Sequence, residues 1–198
     1  MRTEFSGLKL APKVLPLVAD AGYATRYSAR IDALRAHLPD DLVEQAARSL
    51  FKLMAYKDEY EVARLMTLPG CAAQLEQEFE GDYKVAYHFA PPLLPGAKDA
   101  RGRPVKRQFG AWMKPALKTL ARMKRLRGTA FDPFGRSHDR RLDRDLLAWF
   151  ETVLDRAPEV YSDETRDRLG TVLASPMDIR GYGPVREQAA QKVQQKVA

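Results

Sequence analysis

Residues 101–136 read RGRPVKRQFGAWMKPALKTLARMKRLRGTAFDPFGR and contain most of the excess positive charge of the chain. Between residues 98 and 127, eleven lysines and arginines accompany a single acid, Asp99, which gives this stretch a net charge of +10. The whole chain has a net charge of +7, so the remaining residues together carry −3. The basic character is therefore a local property of one segment.

The same segment has the apolar periodicity of an amphipathic helix over residues 110–126, with Pro115 in the first turn, where proline is tolerated. At about 100° per residue, its apolar side chains fall within an arc of roughly 140°. They are Trp112, Met113, Ala116, Leu117, Leu120 and Met123. The opposite face carries Lys114, Lys118, Arg122 and Arg125. We therefore expect the helix to bury its apolar face, Trp112 included, and to expose a row of cations.

Length and composition predict one folded domain. The chain has 198 residues, 45% of them hydrophobic and 30% charged, which is typical of globular proteins. We expect a single helical domain over residues 1–198, with an irregular lead-in at 1–19 and a fraying tail at 188–198. The longest stretch without a charged residue, 85–97, contains three prolines and is too short to span a bilayer. We find no export signal, and we expect a cytoplasmic protein without a membrane partner.

Periodicity outside the basic segment predicts a mainly α fold, a multi-helix orthogonal or bundle-like domain. Helices are predicted over residues 21–38, 41–68, 71–79, 138–157 and 163–174, and from residue 184 onward. No glycine or proline interrupts residues 41–68, so we expect one long helix there, bent near Tyr56. Alternating apolar residues at 84–89 predict a strand, for which 105–109 is the candidate partner. The fold should therefore include a small antiparallel β element near residues 83–109.

Few residues offer catalytic or metal-binding chemistry. A single cysteine, Cys71, excludes a disulfide framework, a four-cysteine zinc site and a cysteine-ligated iron–sulfur cluster. The three histidines lie about fifty residues apart, and His88 falls on the predicted strand. We therefore expect no metal site.

One cluster of carboxylates is a candidate site. Asp58, Glu59 and Glu61 lie near Lys57 and Arg64, and paired carboxylates can perform acid–base chemistry when burial separates their pKa values. Their helical spacing instead favours ordinary surface ion pairs. The mixed cluster at residues 140–145 is interpreted in the same way, as a solvated helix face. We therefore predict no catalytic residue.

Five sequence blocks occur in one order: SLFKLMAYKDEYEVARL from residue 49, YHFAPPLL from 87, GRPVKRQFGAWM from 102, LRGTAFDPFGR from 126 and IRGYGPVRE from 179. Together they resemble the C-terminal domain of the indolepyruvate ferredoxin oxidoreductases, in particular the bacterial forms whose domains are fused into long subunits. The resemblance extends over residues 21–193.

The resemblance implies a parent enzyme that oxidatively decarboxylates aryl 2-oxo acids such as indolepyruvate to acyl-CoA. That enzyme uses thiamine diphosphate, coenzyme A and iron–sulfur clusters, and passes electrons to ferredoxin. The family's thiamine diphosphate sites use a magnesium motif that opens with Gly-Asp-Gly and closes with asparagine, whereas this chain has neither a Gly-Asp-Gly nor any asparagine. The resemblance therefore implies a non-catalytic accessory domain without a cofactor of its own.

We expect such a domain to pack on other domains or a subunit of the same oxidoreductase. Its basic segment would dock an acidic partner: ferredoxin, an acidic subunit surface or the phosphates of coenzyme A. The candidate docking residues are Arg101, Arg103, Lys106, Arg107, Lys114, Lys118, Arg122 and Arg125. The alternatives are a basic nucleic-acid-binding module, a solvated face without a partner, and an independent enzyme built on Asp58, Glu59, Glu61 and His88.

Overall fold

The computed structural model describes residues 11, 14–15, 21–56, 58–90, 96–97, 99–100 and 105–197, without the side chains of residues 71, 72 and 76. Within these ranges the protein is mainly helical and has one two-stranded antiparallel sheet, which confirms the expected fold class. The elements are α1 (Ala21–Arg35), α2 (Asp40–Met54), α3 (Glu59–Met66), α4 (Pro69–Glu78), β1 (Tyr87–Phe89), β2 (Arg107–Phe109), α5 (Met113–Arg122), α6 (His138–Val160), α7 (Arg166–Ala174) and α8 (Pro184–Val197). Two 3-10 turns, Met123–Leu126 and Ser175–Asp178, follow α5 and α7.

The contacts divide the protein into two compact units. Unit 1 consists of residues 1–56 and 138–198, and unit 2 of residues 57–137. That residues 1–198 act as a single domain stays a prediction. None of the helices in the described ranges has both the length and the apolar character needed to cross a membrane.

Helix α2 is the centre of unit 1. It contacts α1, α6, α7 and the turn Ser175–Asp178. Its apolar residues recur at intervals of three and four, and they are almost entirely buried: Leu42, Val43, Ala46, Ala47, Leu50, Leu53 and Met54. Burying one large aliphatic side chain contributes about 1.5–3 kcal/mol, so this helix supplies much of the stability of unit 1.

The two chain ends also contribute to the core of unit 1. Ala11 and Leu15 lie in the predicted irregular lead-in and are completely buried. Helix α8 extends to Val197 and buries Ala190 and Val193. That the tail at residues 188–198 frays stays a prediction.

The predicted long helix at residues 41–68 is wrong, because two helices, α2 and α3, occupy that range. The Asp58 side chain accepts a hydrogen bond from the backbone N–H of Glu61 at 2.8 Å and caps α3. An aspartate that caps a helix adopts extended backbone angles, and these interrupt a preceding helix. The apolar periodicity continues across the break, which is why the pattern alone predicts one helix.

The small sheet is a hairpin of three-residue strands within the predicted range. Tyr87 pairs with Phe109, His88 with Gln108, and Phe89 with Arg107. Four aromatic rings follow one another at centroid separations of 6.0–6.4 Å across the hairpin and the residues after it. This aromatic row consists of Tyr87, Phe89, Phe109 and Trp112.

The carboxylate of Asp132 organises the interior of unit 2. It accepts hydrogen bonds from the Tyr60 hydroxyl at 2.9 Å, the Gly128 N–H at 2.9 Å and the Phe134 N–H at 3.1 Å. Burial tends to raise the pKa of Asp132, but the hydrogen bonds outweigh burial and hold that pKa below its usual range. Burial, together with donation to Asp132, raises the pKa of Tyr60 well above its ordinary value. The residues after α5 are thereby fixed to α3.

We predict that Asp132→Asn lowers the free energy of unfolding by about 1–3 kcal/mol at neutral pH, because three donors lose a charged acceptor. The native pKa of Asp132 is lowered, so its contribution is complete above the unfolded value of about 3.9 and is lost as pH falls through the native pKa. Urea unfolding between pH 3 and pH 7 should therefore show the two proteins converging in acid. Asp145→Asn, on an exposed residue of α6, is the control. A wild-type-to-variant difference that does not change with pH would contradict this account.

Candidate anion-binding surface on helix α5

Helix α5 attaches to unit 2 by one face, as its periodicity predicts. It packs on α3, with Leu117 buried and Met113 and Leu120 half-buried. The other side exposes a basic row that consists of Lys114, Lys118, Arg122 and Arg125, the last of these in the 3-10 turn that continues the helix. None of the four side chains forms an ion pair with a carboxylate in the described part of the chain.

The prediction that Trp112 belongs to the core is wrong, since 66% of its surface is exposed. Regular α5 begins one residue later, at Met113. The Trp112 ring meets the Phe109 ring edge-on at a centroid distance of 6.0 Å. Its contact is therefore with the hairpin, and the indole joins the aromatic row on the surface. Ala116, which was also placed on the apolar face, is exposed.

The other predicted docking residues are only partly described. Lys106 and Arg107 are exposed at the start of β2. Arg101 and Arg103 lie outside the described residues. That any of these cations, or of the basic row, binds a partner stays a prediction.

One cation of the segment has a structural use instead. The Arg127 Nε donates to the Asp58 carboxylate at 2.5 Å, and the two side chains are 13% and 3% exposed. This charge-assisted hydrogen bond satisfies the same carboxylate that caps α3. Arg127 therefore fixes the end of the basic segment and is not available as a surface cation.

In the carboxylate cluster at residues 58–61, Asp58 and Glu61 are buried and Glu59 is half-buried. Glu61 is 7% exposed and accepts from Arg64 Nε at 2.8 Å and from Arg64 Nη2 at 2.7 Å. The predicted pairing of Glu61 with Arg64 is correct, although the expected solvent exposure of Glu61 is not, and Lys57 lies outside the described residues. His88 is exposed on the hairpin. Arginines pair with Asp58 and Glu61, and His88 faces solvent on the hairpin. That the chain contains no catalytic residue stays a prediction.

The mixed cluster at residues 140–145 also differs from its prediction as a solvated face. Asp143 is 4% exposed and lies between two arginines, Arg140 and Arg186, each 2.7 Å from one of its oxygens. The Arg140 guanidinium also lies 5.2 Å from the centre of the Tyr56 ring. Sequence spacing could not reveal the pair with Arg186, because the two residues are 43 positions apart.

A cavity of about 520 Å³ adjoins the basic row in unit 2. We call it the basic cavity, and it is lined by Arg64 of α3, Ala121 and Arg122 of α5, and Lys124 and Arg125 of the following turn. Four of the five described residues that line it are cations. The sequence shows that Arg122 and Arg125 share a helix face, but not that α3 brings Arg64 beside them.

No group of three histidine, cysteine, aspartate or glutamate side chains in the described ranges is arranged to hold a metal ion. The cofactors of the parent enzyme stay an expectation from the resemblance.

The fold and the surface define a mainly helical protein with a concentrated anion-attracting face. The chain belongs to a family of unknown function, DUF6537, whose family model matches residues 16–198. No curated protein and no solved structure is similar to the chain.

Two neighbouring arginines should respond differently to the same substitution. Arg127→Met leaves the buried Asp58 carboxylate without its cation and should lower the free energy of unfolding by about 3 kcal/mol. Arg125→Met removes an exposed cation and should change it by less than about 0.5 kcal/mol. Urea unfolding at pH 7 measures both. Equal effects would show that Arg127 does not anchor the segment.

Proposed function

We propose that the protein is a non-catalytic accessory domain of an indolepyruvate ferredoxin oxidoreductase subunit. In this role the basic row docks an acidic protein surface, either ferredoxin or another subunit of the enzyme. Five ordered blocks that resemble the C-terminal domain of those enzymes support the parent assignment. The basic row on α5 supports the docking role.

The observation that carries the docking role is the uncompensated charge of α5. Residues 100–131 contain no aspartate or glutamate, and Lys114, Lys118 and Arg122 follow one another at intervals of four. Like charges at this spacing destabilise a helix by about 0.2–0.5 kcal/mol per pair. Soluble surfaces usually intersperse both signs. A row that maintains this repulsion without a counter-charge among the described residues suits an acidic partner, whose approach it accelerates.

The blocks that carry the resemblance serve structural contacts, which agrees with a non-catalytic role. Asp58 and Tyr60 belong to the block that starts at residue 49, whereas Arg127 and Asp132 belong to the block that starts at 126. These residues bind one another in two pairs, Asp58 with Arg127 and Tyr60 with Asp132. The rings of Tyr60 and Phe134 also meet edge-on at 5.3 Å. These paired residues of the two blocks therefore position α5.

The proposal is tested in the oxidoreductase that contains this chain as a domain. Lys114→Glu combined with Lys118→Glu should lower kcat/KM for ferredoxin about ten-fold at low ionic strength, with the loss shrinking at high salt. Indolepyruvate-dependent reduction of a small dye should stay unchanged. The control is Arg144→Glu with Arg156→Glu, which makes the same charge change on exposed positions of α6.

Two results would contradict the proposal in different ways. Unchanged ferredoxin kinetics in the Lys114 and Lys118 variant, or an equal loss in the α6 control, would remove the docking role. Absence of any indolepyruvate oxidation by the full enzyme would remove the parent assignment.

Binding of single-stranded nucleic acid is a second candidate function, favoured by the exposed Trp112 in the aromatic row. Base stacking on an aromatic ring contributes about 1–3 kcal/mol, and Lys106 and Lys114 supply exposed cations nearby in the sequence. Trp112→Ala should then weaken oligonucleotide binding about ten-fold or more in fluorescence polarisation. Phe131→Ala is the control, because Phe131 is 81% exposed but lies outside the aromatic row. No polarisation change at low salt would exclude this function.

A further inference from the structure

We propose that the basic cavity binds a small molecule through a phosphate or diphosphate group. This inference goes beyond the proposed function, because it assigns a different ligand class to a concave site beside the basic row. Its volume of about 520 Å³ lies within the range of about 300–1,000 Å³ found for small-molecule sites.

Glu61 holds the Arg64 side chain in a fixed orientation. Both oxygens of the buried Glu61 carboxylate accept hydrogen bonds from the Arg64 guanidinium, at 2.8 and 2.7 Å. A guanidinium has five N–H groups, so this pair leaves others available to a ligand. The Arg64 side chain is 23% exposed, which keeps it accessible to solvent. A planar donor group held in place binds phosphate oxygens with little further loss of conformational entropy.

The lining of the cavity keeps a positive charge after the ion pairs among the described residues are counted. Glu61 neutralises Arg64, and Lys124 has an interaction of its own. Arg122 and Arg125 have no carboxylate partner among the described residues. They contribute two positive charges to the lining of the cavity, and a phosphate ester carries close to two negative charges at neutral pH.

Helix-end electrostatics do not remove this excess. Arg64 and Arg122 lie in the last turns of α3 and α5, where cations ordinarily offset the negative end of the helix dipole. Each dipole end is equivalent to about half an elementary charge. Two such ends cancel about one of the two unpaired cations, so the cavity keeps a net positive charge.

The shape of the site favours a small ligand over a macromolecule. Lys114 and Lys118 lie outside the cavity, on the exposed face of α5, where a protein surface or a polymer backbone can reach them. Arg64, Arg122 and Arg125 instead line one concave volume. A concave site lined by several cations suits one compact anion.

Isothermal titration calorimetry of the purified chain with pyrophosphate and with inorganic phosphate, at low ionic strength, tests the inference. Saturable binding with one site is expected. Arg122→Gln and Arg125→Gln should each raise the dissociation constant about ten-fold, as expected for the loss of a hydrogen bond to a charged group. Lys84→Gln, an exposed cation of unit 2 outside the cavity, is the control and should leave the dissociation constant unchanged. Arg64→Lys retains the charge but loses the planar donor group, so it should also weaken binding.

Three outcomes would overturn the inference. One is the absence of saturable binding of both anions, and another is an equal loss of affinity in the Lys84→Gln control. The third is binding of an oligonucleotide that pyrophosphate does not displace, together with heat changes for pyrophosphate that do not saturate. The titration requires no partner protein and no redox reaction, so its failure is distinguishable from failure of the proposed function.

Discussion

The ion pair between Asp58 and Arg127 is the interaction on which the surface of unit 2 depends. The Asp58 carboxylate caps α3 with one oxygen and accepts from Arg127 with the other, so one buried group starts a helix and anchors the end of the basic segment. Asp132 adds a second attachment through Tyr60. Helix α5 is bounded by this anchored end and packs along α3. The orientation of the basic row therefore follows from two buried carboxylates, Asp58 and Asp132, that do not contact the basic row.

The basic segment thus contains cations in two different electrostatic states. Arg127 is largely buried and paired with Asp58. Without Arg127, the buried Asp58 carboxylate would have no cation to compensate its desolvation. Lys114 and Lys118 are exposed to solvent, and in the proposed docking role they would act mainly on the rate at which an anionic partner associates. Arg122 and Arg125 lie between these cases, because they border a cavity and yet have no carboxylate partner in the part of the chain that the structure describes. Equal formal charges in one segment therefore have unequal functional meaning.

Local periodicity predicted the features that each element's own sequence determines. These are the mainly α fold, the strands of the hairpin near residues 83–109 and the face of α5 that carries the basic row. It failed where a distant partner decides the outcome. The break before α3 depends on the environment of Asp58, the burial of Asp143 depends on Arg186, and the basic cavity depends on Arg64 meeting α5. The predicted burial of Trp112 is wrong because an aromatic ring at a helix start can pack either under its helix or on the preceding element. The Trp112 ring packs on the hairpin.

The run of residues 100–131 without an acid has a thermodynamic consequence for α5 itself. Mutual repulsion along the basic row lowers the local stability of the helix, and any anion that settles there relieves it. Anion binding and the helical order of α5 are therefore linked. An anion that binds the ordered helix stabilises that order, and the ordered helix binds the anion more tightly by the same free energy. Ambient salt relieves part of the same repulsion. The segment thus couples its own rigidity to the anionic content of its surroundings.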